Sequence, residues 1–167
     1  MLYAPFLGVL WCLTRQWVRT PPGRRRYNVL GAVDPITQKL ISIRKEGTIK
    51  ADTVMELLEL VALEYAGQVV TLVLDNARYQ HCAAVKTRAA ALGIELLFLP
   101  PYSPNLNLIE RLWKLLKKRA LSCRYHEEFD VFRNAIDDFM TNPPIDEMET
   151  LLTLNFQMFD DVLSVAV

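Results

Sequence analysis

Two carboxylates stand where chemistry is easiest to place. Asp75 ends the apolar run VTLVLD, and Glu110 lies at the head of LIERLWKLLKKRA, with 34 residues between them. In open α/β sheets, ligand sites form beyond the carboxyl ends of strands, so an acid ending a buried strand reaches solvent there. Glu110 is the one acid among five bases between Leu99 and Ala120. Its neighbours Leu108, Ile109, Leu112, Trp113, Leu115 and Leu116 form an apolar stripe, so Glu110 falls close to the core-facing side, where an unpaired charge is costly. Two converging carboxylates suit Mg²⁺ or Mn²⁺, hard cations that prefer oxygen ligands and leave positions open for water and phosphate. Two such ions about 3.5–4 Å apart support phosphodiester chemistry, normally with at least three carboxylates. The simpler alternative is that both acids serve helix starts, Asp75 as a cap and Glu110 through the helix dipole.

The charge is uneven around them. Residues 1–126 hold 18 Lys and Arg against 9 acids, whereas residues 127–167 hold one Arg and 10 acids. The bases have two foci. One is Arg15, Arg19, Arg24, Arg25 and Arg26; the other is Arg111, Lys114, Lys117, Lys118, Arg119 and Arg124. Clustered bases in a chain of zero net charge fit a polyanion partner, or a solvated surface with an acidic segment folded against it. At 51% hydrophobic and 23% charged, the chain is long enough for one domain with a sizeable core. No apolar run reaches the roughly 18 residues of a membrane span. Cys12, Cys82 and Cys123 are scattered and odd in number, which fits a reducing cytosol better than a disulfide framework.

The elements that must position the acids follow from periodicity. FLGVLWCLTRQWV is rich in β-formers and predicts a strand, and TPPGRRR a turn. YNVLGAV and KLISIRK predict a hairpin around DPITQ. ADTVMELLELVALEYAG repeats apolar residues at helical spacing. VVTLVLDNA and IELLFLP are continuous apolar runs, as expected for strands buried on both faces. CAAVKTRAAALG between them predicts a helix stopped by Gly93. Further helices are expected from Asn107, over EEFDVFRNAIDDFM and over DEMETLLTLNFQMF, so the C-terminal helices occupy about residues 127–160. Strands alternating with helices predict an α/β fold, a mixed sheet flanked by helices.

LVLDNARYQH followed by LLFLPPYSPNLNLIERLWKLLK resembles the catalytic core of mariner-type and related bacterial insertion-sequence transposases of the DDE superfamily, whose fold is ribonuclease-H-like. The separation of Asp75 and Glu110 is typical of one large branch of that family, and RRYNVLGAVDPITQKLIS resembles its second and third strands. The likeness covers about residues 6–158. It implies that Asp75 and Glu110 are the second and third catalytic acids and divalent-metal ligands in DNA transposition. Such enzymes nick DNA at transposon ends with water, then attack target DNA with the freed 3′-hydroxyl. Asn76, His81, Asn105 and Asn107 match motif positions expected to orient the site, form turns or cap helices. Arg24, Arg25, Arg26, Arg111, Lys114, Lys117 and Lys118 are the expected DNA contacts. The family often works as a dimer on paired DNA ends. A cytoplasmic, nucleoid-associated protein with no small-molecule cofactor and no membrane partner is expected.

The family's first Asp sits in the middle of its first strand, before the hairpin. The sequence has one earlier Asp, Asp34, at the expected hairpin tip and therefore away from Asp75. The resemblance thus implies one catalytic domain over residues 1–167, partial at its N-terminus. Its first strand would be largely missing, and the family's helix-turn-helix region would lie upstream. Such a chain is expected to be inactive alone. It would also be marginally stable, unless residues 1–10 or a second chain fill the gap. Two alternatives stay open: a non-catalytic DNA-binding or dimerising remnant, and an unrelated α/β domain in which both acids only serve helix starts.

Overall fold

The computed structural model describes residues 12–17, 25–101, 103 and 106–153. Two strands, β1 (Tyr27–Val33) and β2 (Leu40–Glu46), form the expected antiparallel hairpin, with Tyr27 opposite Glu46 and Val33 opposite Leu40. Asp34 makes its turn. One carboxylate oxygen accepts the Ile36 and Thr37 amides at 2.8 and 3.3 Å, and the other accepts the Thr37 and Tyr65 hydroxyls at 2.7 and 3.0 Å. Burial works against the Asp34 charge, but the bonds from Thr37, Ile36 and Tyr65 outweigh it and hold the carboxyl below its ordinary range.

Alternation along the hairpin sorts its side chains between two cores, because successive strand residues point to opposite faces. Tyr27, Val29, Val33 and Leu40 face one cluster with α3 (Leu108–Leu116), α4 (Phe129–Thr141) and α5 (Ile145–Leu151). Leu30, Ala32, Ile41 and Ile43 face a second cluster, with α1 (Ala51–Glu64) and α2 (Ala83–Ala91). Helices therefore cover both faces of the hairpin. After α3 the chain continues as one wider helical turn, Lys117–Leu121, which the Ser122 amide closes on the Lys117 carbonyl at 2.7 Å.

Gly31 lies close against α3 and the neighbouring strand. A Cβ there would lie 3.1 Å from the Ile41 carbonyl oxygen and 3.4 Å from Trp113. Backbone cannot yield as a flexible side chain does, so Gly31→Ala is expected to destabilise by about 1–3 kcal/mol. Urea denaturation measures this, and unchanged stability would contradict the close packing.

Tyr27 ties the hairpin to α4. Its ring is 5% exposed, and its hydroxyl donates to Asp137 at 2.6 Å. Burial first, and the Asp137 carboxylate second, push its pKa up to about 12. A raised pKa means that the folded state holds the proton more tightly. The contribution is complete below about pH 10, the unfolded value, and is lost as pH rises towards 12. A fall of roughly 2–3 kcal/mol across that window is expected in denaturation curves. Tyr27→Phe should remove that fall, and a variant with the parent's pH dependence would refute the assignment.

The second strand pair is parallel: β3 (Val70–Leu74) beside β4 (Ile94–Phe98), joined through α2 as parallel strands require. The chain leaves α2 at Gly93, whose φ of +70° lies in the left-handed region and ends the helix where expected. The expectation that both strands are buried on both faces is overturned. Ile94, Val70, Leu72 and Leu96 pack on α1 and α2, but Val73 and Leu97 on the opposite face are 42% and 51% exposed. Thr71 and Glu95, cross-strand partners on that open face, hydrogen-bond at 3.0 Å. Among the described residues the helices cover one side only, which a continuous apolar run does not reveal.

The N-terminal strand is corrected in part. Residues 12–17 carry no strand, and Leu13 and Trp17 are fully or mostly exposed, because no described edge pairs with them. The rest of that expected strand lies outside the described residues. The last helix ends at Leu151, and residues beyond 153 likewise lie outside. Among the described residues no helix is long and apolar enough to cross a membrane.

Candidate active site

The loop after β3 carries Asp75. The Leu99 amide bonds the Leu74 carbonyl at 2.9 Å, extending the ladder to the residue just before it. Asn76 then turns the chain with φ of +65°, a left-handed conformation that Asn tolerates better than most residues. Its side-chain oxygen meets Nε2 of His81, and the His81 ring stacks on Phe98 at 4.0 Å, at the end of β4. Buried Gln80 closes the loop from within, its side-chain oxygen accepting the Ala77 amide at 3.1 Å. The loop is therefore tied at Asn76, Ala77 and Phe98, leaving Asp75 exposed at its start. Asp75 caps neither following helix: the short turn Arg78–Gln80 starts from Ala77, and α2 from Cys82.

Glu110 comes from the first turn of α3. Asn107 caps that helix, its side-chain oxygen accepting the Ile109 amide at 3.3 Å, so the Glu110 carboxylate is not needed as a cap. Glu110 is half-buried. Asp75 and Glu110 line one cavity of about 400 Å³, bounded by residues 29–33 of β1, 71–74 of β3, and α3. Among the described residues no three metal-ligating side chains gather. The donor set consists of two carboxylates on one cavity. Both offer hard oxygens, which fit a divalent cation that completes its shell with water or phosphate.

Tyr79, on the same cavity, was not foreseen. Burial first, and the Asp75 charge second, raise the pKa of its hydroxyl, so it remains a protonated neighbour of that carboxylate. A lone Tyr in LDNARYQH carries no sequence signal for this. Asp34 is spent on its turn, as its hairpin position implied.

The expected DNA contacts divide. Lys114, Lys117 and Lys118 are exposed on α3 and the turn after it, and Arg26 is exposed before β1. Arg111 instead donates to the Leu151 and Thr153 carbonyls, both at 2.9 Å, tying α3 to the end of α5. Arg25 forms a fork with Glu46 at 3.0 and 3.2 Å and lies 3.7 Å over Phe129. Both guanidiniums thus have partners within the fold, Arg25 in an exposed ion pair and Arg111 at the end of α5. Arg24 and Asn105 lie outside the described residues. The acidic segment does fold against basic residues: Glu147 pairs with Arg119, and Asp137 with Arg44 at 3.4 Å.

Comparison with known proteins gives a family and a fold. Residues 14–133 match the model of the DDE superfamily endonuclease family. Uncharacterized protein y4pE/y4sA of Sinorhizobium fredii (strain NBRC 101917 / NGR234) is 34% identical over 64 residues, covering 38% of this chain and 45% of that protein. A chain in the cryo-electron microscopy structure of the simian T-cell lymphotropic virus intasome in complex with PP2A regulatory subunit B56 gamma is similar with a TM-score of 0.50. It is 18% identical, over 75% of this chain and 40% of that one. The chain thus spans less than half the length of either. The likeness to the intasome chain is one of fold: the α/β arrangement is ribonuclease-H-like, although the described strands form two separate pairs rather than the expected single mixed sheet. With 14–133 matched, more than two thirds of its length, the chain belongs to the DDE superfamily endonuclease family.

Proposed function

We propose that residues 1–167 are the catalytic domain of a DNA transposase, acting on transposon ends and target DNA in the bacterial cytoplasm, at the nucleoid. The observation that carries this reading is the shared cavity of Asp75 and Glu110. Asp75 and Glu110 would hold Mg²⁺ or Mn²⁺, which when bound neutralises phosphate charge and activates the attacking oxygen. Around them, His81 and Asn76 hold the loop that carries Asp75, and Tyr79 offers a protonated hydroxyl beside it. Lys114, Lys117 and Lys118 would meet DNA phosphates, fixing position rather than sequence. The family's first acid has no counterpart beside Asp75 and Glu110 among the described residues, so we expect this chain alone not to cleave DNA. The active assembly is a homodimer on paired ends.

The presence of two carboxylates rather than three among the described residues also favours a second reading, a DNA-binding remnant without catalysis. Two measurements separate the readings. Duplex affinity is followed against salt for the parent and for Lys114→Ala/Lys117→Ala/Lys118→Ala. Loss of three phosphate contacts should flatten the log–log slope by about 2.7. Mn²⁺ titration, read as broadening of amide signals at 75–76 and 110–111, should localise the ion. Salt-sensitive DNA binding without localised broadening supports the remnant, and neither effect refutes both readings.

A further inference from the structure

We propose that α5 is an acidic strap on the phosphate-binding face: Asp146 and Glu147 stand in for DNA phosphate beside Lys114, Lys118 and Arg119, and duplex DNA binds by competing with them. The inference rests on the reading that the bases of α3 meet DNA, and adds what regulates that face. Lys114 on α3 and Lys118 in the wider turn after it border a groove of about 480 Å³. Asp146 and Glu147, from the first turn of α5, border the same groove, and Leu115 and Leu151 line it too. Glu147 also pairs with Arg119. Three bases thus meet two acids, and a face with three positive charges keeps one.

Helical spacing fixes which acids serve. Met148 and Leu152, one turn apart, are 1% and 3% exposed in the cluster with α3 and α4. Asp146, Glu147 and Thr150 border the groove, whereas Glu149 is exposed and does not border it. Arg111 adds its bonds to the Leu151 and Thr153 carbonyls, both at 2.9 Å. Core burial and these bonds therefore hold α5 in place without help from its acids. Exposed ion pairs are individually weak, so the pair of Glu147 with Arg119 opens readily. The carboxylates nevertheless stay beside the bases, because the helix carrying them is anchored. A phosphate arriving there replaces one acceptor with another and is repelled by the carboxylates it displaces. Such a face binds DNA weakly until its acids are neutralised or moved.

Duplex affinity of the full 167-residue chain, measured without metal, tests the strap. Asp146→Asn/Glu147→Gln keeps side-chain size and removes both charges. It should bind a random-sequence duplex about tenfold more tightly than the parent at about 0.1 M salt, with the gain shrinking as salt rises. Glu149→Gln removes the same kind of charge from the same helix, away from the groove, and should gain about twofold or less. Parent-like affinity in the double variant, or an equal gain in Glu149→Gln, overturns the strap and leaves the DNA reading standing. No duplex binding by parent or variant refutes that reading and the strap with it. Should the double variant fail to fold, carbodiimide coupling of the parent decides. An amide joining Lys114 or Lys118 to Asp146 or Glu147, suppressed by saturating duplex, supports the strap. Its absence, or a yield that duplex leaves unchanged, overturns it.

Discussion

Asp75→Asn and Glu110→Gln are each expected to weaken Mn²⁺ binding by on the order of 100-fold and to abolish the localised broadening near both residues. Each change removes one full negative charge while keeping size and polarity. Near a protein surface a unit charge about 4 Å from another is worth roughly 4 kcal/mol per charge product, and more for a divalent ion, so even a partly screened ligand dominates affinity. The two effects should be of similar size, because the carboxylates border one cavity from different elements, β3 and α3. Asp34→Asn is the control. Its oxygens are committed to Ile36, Thr37 and Tyr65, so it should cost about 1–2 kcal/mol of stability and leave Mn²⁺ binding intact. Parent-like affinity in either site variant would break the link between the shared cavity and metal binding.

Phe132→Ala is expected to destabilise the fold by about 3–5 kcal/mol. Phe132 is wholly buried, 0% exposed, in the cluster where α3, α4 and α5 meet β1. Its ring lies edge-on to His126 at 5.9 Å and tilted against Phe129 at 6.2 Å, so truncation leaves a cavity between rings that cannot simply collapse. The same cluster seats α3 and therefore Glu110. Leu97→Ala offers the contrast. Leu97 is 51% exposed on the open face of β3 and β4 and should lose less than about 1 kcal/mol. Chemical denaturation of both variants measures the difference, and equal losses would mean that the open face is covered in solution.

Much of the site was legible locally. The hairpin around DPITQ, the helix stop at Gly93, the helix start at Asn107 and the placing of Asp75 at a strand end all depend on turn chemistry and periodicity within a few residues. Those signals are carried by the residues themselves, so the sequence by itself determined the order of the elements and where the two acids emerge. Other features needed partners distant in the chain. Whether Val73 and Leu97 are covered depends on which face α1 and α2 choose, and an apolar run reads the same with one face covered or two. Arg25 and Arg111 belonged by composition to a basic surface. Contacts to Glu46 and to the end of α5, 21 and 40 residues away, gave them partners within the fold. Tyr79 beside Asp75, and both acids on one cavity, likewise belong to the tertiary structure. Charge and hydrophobicity are properties of a residue, but burial, pairing and convergence are properties of what folds against it.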